Sequence, residues 1–155
     1  MNSLIVYDSQ YGNTEKIAKT LAKILHGCAI CVTKFKSSDL KNVDLLILGS
    51  PTQGGRATVA MQNFLTNISS NIRGLKIAVF DTRIPTEKLN PLLKMLLKII
   101  GYASPKIASV VINAGGKLIV KPEGFFVEGK EGPLAANEIE RIKVWGKSVA
   151  EKTIS

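Results

Sequence analysis

The chain has 155 residues, 45% of them hydrophobic, which suits one domain around one core (residues 1–155) and leaves too little for a second. Its 21 Lys and Arg against 12 Asp and Glu leave a charge of +9, but the cations are mostly Lys, spread without a run of five and without interleaved aromatics. They therefore read first as a solvated basic surface and do not indicate a specific nucleic-acid reader. No apolar run approaches the roughly 18 residues of a bilayer span, and Met1-Asn2-Ser3 lacks a basic signal region, so a cytoplasmic protein without membrane insertion is expected.

Leu4-Ile5-Val6-Tyr7 reads as a first strand. Ile17, Ala18, Leu21, Ala22 and Leu25 then recur at helical spacing opposite Lys16, Lys19 and Lys23, and His26-Gly27 stops that helix. Residues 29–32 supply a second strand, beside which Cys28 and Cys31 read as core packing, because residues three apart on a strand face opposite sides. Residues 44–49 form a third strand, and Val59, Met61, Phe64, Leu65 and Ile68 fit a helix. Residues 76–80 make a fourth strand, after which Asn90-Pro91 opens a helix carrying Leu92, Leu93, Leu96, Leu97 and Ile100 to Gly101. A fifth strand is expected at 108–112, with extra strands at 117–120 and 125–127. A last helix starts at Gly132-Pro133, with Ile139, Ile142, Trp145 and Val149 facing inward. With a short helix near 38–42, this alternation predicts an α/β fold: a five-stranded parallel sheet, doubly wound, in a three-layer sandwich.

In such a sheet, ligands bind beyond the carboxyl ends of the strands where strand order reverses, so the loops after strands one, three and four carry the chemistry. The first, Ser9-Gln10-Tyr11-Gly12-Asn13-Thr14, is polar, has one glycine where the chain must turn and leads into a helix. Its backbone N–H groups, the Ser9 and Thr14 hydroxyls and the helix dipole suit a phosphate monoester without any Lys or Arg. The plainer alternative is a helix cap by Thr14 or Asn13.

The Ser9-x-Tyr11-Gly12-x-Thr14 pattern after an N-terminal strand resembles the phosphate loop of the flavodoxin family. Gly49-Ser50-Pro51-Thr52-Gln53-Gly54-Gly55-Arg56 and Phe80-Asp81-Thr82-Arg83 resemble that family's two ring-binding loops. The segments 122–127 and 131–134, with the 138–145 helix, are similar to its closing part, so the likeness runs through nearly the whole chain. It implies a flavodoxin-like fold and non-covalent FMN used for electron transfer between redox partners. Cofactor contacts would then come from Ser9, Gln10, Tyr11, Gly12, Asn13 and Thr14, from Pro51, Thr52, Gln53, Gly54, Gly55 and Arg56, and from Asp81, Thr82 and Arg83. The chain departs from the family in having no aromatic residue in 50–58 or 81–86 to stack on the flavin, and in being basic where electron carriers are commonly acidic. Ring contact would fall to Pro51, the Gly54-Gly55 backbone, Thr82 and Arg83, with Arg56 and Arg83 favouring the negatively charged reduced flavin, the alternative being that both point to solvent or pair with Asp81. The basic balance points to an acidic redox protein as partner.

Two other functions compete: an FMN-dependent oxidoreductase passing hydride from NAD(P)H to a quinone-type acceptor, and a flavin-free binding module. Short insertions leave little wall for a second substrate, and the phosphate loop argues against the module. Gly124-x-x-x-x-Gly129-Lys130 lacks the hydroxyl residue of a P-loop, and Arg141 stands where the Gly146-Lys147-Ser148 version needs its first glycine. There is no G-x-G-x-x-G. The only histidine, His26, has no second ligand at metal spacing, so no metal site and no catalytic residue are assigned.

Overall fold

Successive strand residues face opposite sides, so a strand that is apolar throughout must be covered on both. In the computed structural model, which describes residues 1–155, such runs make β1 (Ser3–Tyr7) and the middles of β3 (Leu45–Pro51) and β4 (Lys76–Arg83), with the half-buried β2 (Cys28–Cys31) at the edge. They pair in parallel in the order β2-β1-β3-β4. Leu4, Val6, Leu46, Leu48, Ile77 and Val79 face a layer containing α2 (Val59–Ile68) and α4 (Ala103–Asn113). Ile5, Tyr7, Leu45, Ile47, Ala78 and Phe80 face α1 (Asn13–Ile24) and α5 (Glu138–Ile154). The expected doubly wound sandwich is what the chain forms. Trp145 is a core residue, packed edge-on against Phe80 and Phe125.

The far edge of the sheet differs from expectation. Residues 108–112 belong to α4, not to a strand: Ala103, Ile107, Ala108 and Val111 are buried at helical spacing, while Val110 and Ile112 are exposed. The β-branched Val110-Val111-Ile112 run imitates a strand, but the period of burial is that of a helix. The edge itself is made by β5 (Lys117–Leu118) beside the start of β4 and β6 (Glu123–Phe126) beside its end, giving six strands in all. Pairing with β6 carries β4 on to Arg83, and β3 runs on to Pro51, so Pro51, Asp81, Thr82 and Arg83 are strand residues where loops were expected.

Because α4 makes the crossover from β4 to this edge, the helix before it has no place in either layer. This is α3 (Pro91–Ile100), capped by Asn90, whose Oδ1 accepts from the Leu93 N–H at 2.9 Å, and opened by Pro91. None of its residues is buried. The remaining differences are local. Residues 38–42 give a 3₁₀ turn at Ser37–Leu40, and α5 starts at Glu138, since Gly132-Pro133 forms a turn that sets Leu134 beside Val127. Cys28 is exposed and Cys31 half-buried at the core margin, because β2 is an edge strand.

Candidate functional site

The carboxyl ends of β1, β3 and β4 open into a cleft of about 420 Å³, a size at which small-molecule sites occur. Ser9, Gln10, Tyr11, Asn13 and Thr14 line it from the first loop, Pro51, Thr52 and Gln53 from the end of β3, and Thr82 and Arg83 from the end of β4.

The first loop is shaped by its own short side chains. The Ser9 N–H donates to Asp8 Oδ1 at 2.9 Å and the Gly12 N–H to Ser9 Oγ at 3.1 Å. Gly12 then takes φ 89°, which favours glycine, and α1 begins with no side-chain cap. The cap by Thr14 or Asn13 is therefore not what these residues do. The first helical amide with a backbone acceptor is Lys16, whose N–H donates to the Gly12 carbonyl at 3.0 Å, which leaves the amides of Asn13, Thr14 and Glu15 without a protein acceptor. Thr14 is 2% exposed, and its hydroxyl shares a hydrogen bond of 3.1 Å with that of Thr82. The Asn13 side chain instead donates to the Glu131 carbonyl at 3.0 Å and ties the closing segment to the loop. Beneath the loop, burial pushes the Tyr7 hydroxyl up to about 12, with the charges of Glu15 and Cys31 adding to it. A hydrogen bond from Lys19 holds the Glu15 carboxyl below the usual range.

The β3 loop closes by a two-residue turn. The Gln53 N–H donates to the Arg56 carbonyl at 2.8 Å and the Arg56 N–H to the Gln53 carbonyl at 3.1 Å, with φ 55° at Gly54 and 74° at Gly55. Gln53 Nε2 donates to Gln10 Oε1 at 2.6 Å and joins the two loops. Gly54 and Gly55 turn away from the cleft and border a second, apolar pocket of about 270 Å³ that it shares with Thr52, Arg83 and Ile84. Leu89, Leu93, Leu96, Leu97 and Ile100 wall this pocket, with Tyr102 from the α3–α4 turn. A Cβ at Gly55 would overlap the Ile100 side chain, so the glycine lets α3 lie against the loop. Arg56 is exposed and lines neither space.

Asp81 is not a cleft residue either. It is 0% exposed, and its carboxylate accepts from Arg83 Nε at 2.6 Å, Arg83 Nη2 at 2.7 Å and the Ser104 N–H at 2.8 Å. The guanidinium also stacks 3.7 Å from the Tyr102 ring centroid. Arg83 thus borders both spaces with its charge compensated by Asp81, so of the two readings of this arginine the structure has the Asp81 pair and not the free ring-facing charge. Sequence reasoning missed Ile84, Val127, Gly129 and Lys130, which also line the cleft, and Tyr102. Tyr102 stands far along the chain from both ring loops, and only the Gly101 break after an apolar helix hints that it folds back.

The flavodoxin-domain family model matches residues 4–99. The chain belongs to the flavodoxin family. It is 37% identical over 85 residues to a flavodoxin of Clostridium beijerinckii, a match covering 50% of this chain and 62% of that relative, less than two thirds of its length. A flavodoxin from the domain Archaea shares the fold at a TM-score of 0.78 and 20% identity, with 100% of each chain covered. The rubredoxin oxygen:oxidoreductase of Desulfovibrio gigas shares it at 0.76 and 17% identity, with 99% of this chain aligned to 36% of that one. Flavodoxins bind FMN. The cleft fits that cofactor chemically: three amides without acceptors, the positive end of α1 and the hydroxyls of Ser9 and Thr14 converge as donors for a phosphate, with space above for a flat ring system.

Proposed function

We propose that this flavodoxin-family protein holds FMN in the β1/β3/β4 cleft and works as a cytoplasmic one-domain electron carrier with an acidic redox protein as partner. The observation that carries the reading is the start of α1, where the amides of Asn13, Thr14 and Glu15 meet no protein acceptor beside the Ser9 and Thr14 hydroxyls. Those groups would hold the phosphate. Pro51, Thr52, Gln53, Thr82 and the edge of Arg83 would flank the ring, and Tyr11 and Val127 would limit its access to water. Bound FMN supplies one- and two-electron chemistry, and the protein sets its environment. The charge of +9 favours encounter with an acidic partner at a rate that salt depresses.

Titration of the apoprotein with FMN and with riboflavin tests this, since a site built around the phosphate prefers FMN. Equal affinities would remove the phosphate assignment. A second reading, an FMN oxidoreductase with an apolar acceptor such as a quinone, is favoured by one observation: α3 supplies a wall where short insertions were expected to leave little, around an apolar pocket of about 270 Å³ adjoining Thr52 and Arg83. NAD(P)H oxidation by the FMN-loaded protein, with and without a soluble quinone, separates the two. A carrier gives no quinone-dependent turnover.

A further inference from the structure

The helix that walls the apolar pocket has a second side. At about 100° per residue, Leu93, Leu96, Leu97 and Ile100 share the arc toward the pocket, all four lining it. Leu92, Met95 and Ile99 share the outward arc and are 62%, 54% and 77% exposed. Lys94 and Lys98 complete the circumference. A helix of ten residues with none buried, seven of them Leu, Met or Ile, is held in water with an apolar face uncovered.

We propose that the outward face of α3 docks the protein reversibly on an anionic membrane surface, with the helix lying in the plane of the interface. This goes beyond the electron-carrier reading and does not depend on it. Charge decides in favour of an anionic occupant: Lys94 and Lys98 flank the apolar stripe on a protein of charge +9, the pattern of helices that lie at lipid headgroups. The same charge disfavours a second copy, because two such chains repel.

The helix lies on the surface and does not cross it. Within Pro91–Asn113, a segment of 23 residues with the length of a span, a stretch of 18 residues reaches a mean hydropathy of 1.5. Yet the chain breaks at Gly101, with φ 77°, and α4 gives Ala103, Ile107, Ala108 and Val111 to the core. What is left is α3, about 15 Å long at 1.5 Å per residue, half the roughly 30 Å hydrocarbon thickness.

The test is co-sedimentation with vesicles of phosphatidylcholine containing about a third phosphatidylglycerol, and with phosphatidylcholine alone. The protein should bind the anionic vesicles at low salt and the neutral ones weakly. The triple variant Leu92→Ser, Met95→Ser, Ile99→Ser should lower the anionic partition coefficient roughly tenfold or more. Its denaturation midpoint and FMN titration should stay unchanged, since these side chains line neither the cleft nor the apolar pocket. Lys94→Glu with Lys98→Glu should abolish the preference for anionic lipid. Three results overturn the proposal: no vesicle binding by the wild-type chain at low salt, equal binding by the triple variant, or a dimer in light scattering that the triple variant dissolves.

Discussion

Replacing Arg83 by Met should destabilise the fold far more than a surface arginine would. The variant removes two hydrogen bonds, of 2.6 and 2.7 Å, and the only counter-charge from a carboxylate whose side chain is 0% exposed. It leaves Asp81 with the Ser104 N–H at 2.8 Å as its remaining donor. Breaking a buried ion pair from one side costs about 3–5 kcal/mol. Because the Arg83 side chain keeps 17% exposure, the low end, about 3 kcal/mol, is the appropriate figure. That is a large part of the roughly 5–15 kcal/mol that holds a domain folded. With a slope of about 2 kcal/mol/M, the urea midpoint should fall by about 1.5 M. Adding Asp81→Asn removes the stranded charge and keeps an acceptor for Ser104, so the double variant should return to within about 1 kcal/mol of wild type. A single-variant loss under about 1 kcal/mol, or a double variant no better than the single, would refute this account of Asp81.

Three further outcomes follow from the same geometry. Thr14→Ala should weaken FMN by about 1–3 kcal/mol in a fluorescence titration and leave riboflavin nearly unaffected, because the hydroxyl lies among the phosphate donors. Gly55→Ala should destabilise by about 1–3 kcal/mol and speed proteolysis within α3, since the new Cβ meets Ile100 at a backbone φ of 74°. Stability should fall as pH rises from 10.0, the ordinary tyrosine value, toward the folded value of about 12 for Tyr7, because the folded state resists forming the phenolate. That contribution is whole below the lower value, and a Tyr7→Phe chain should lack the slope in urea melts across this range.

Short stretches of chain carry their own structural instructions. The strands at the amino ends of β1, β3 and β4 follow from runs apolar on both faces, and the α1 loop follows from Ser9, Gly12 and Thr14 at fixed spacing, because neither needs a distant partner to be recognised. Tertiary structure decided whatever depended on which element covers which. The Val110-Val111-Ile112 run has strand propensity, yet it is helix because Ala103, Ile107, Ala108 and Val111 cover the sheet face between β4 and β5. Once α4 holds that place, α3, whose pattern is that of a core helix, is left outside it. Asp81 and Arg83, read as loop residues beside the flavin, become an ion pair around a buried carboxylate because β6 extends the sheet past them and Ser104 and Tyr102 close over it. Those contacts join residues about twenty apart or more, and a side chain's local neighbours carry no record of a partner that only folding brings within reach.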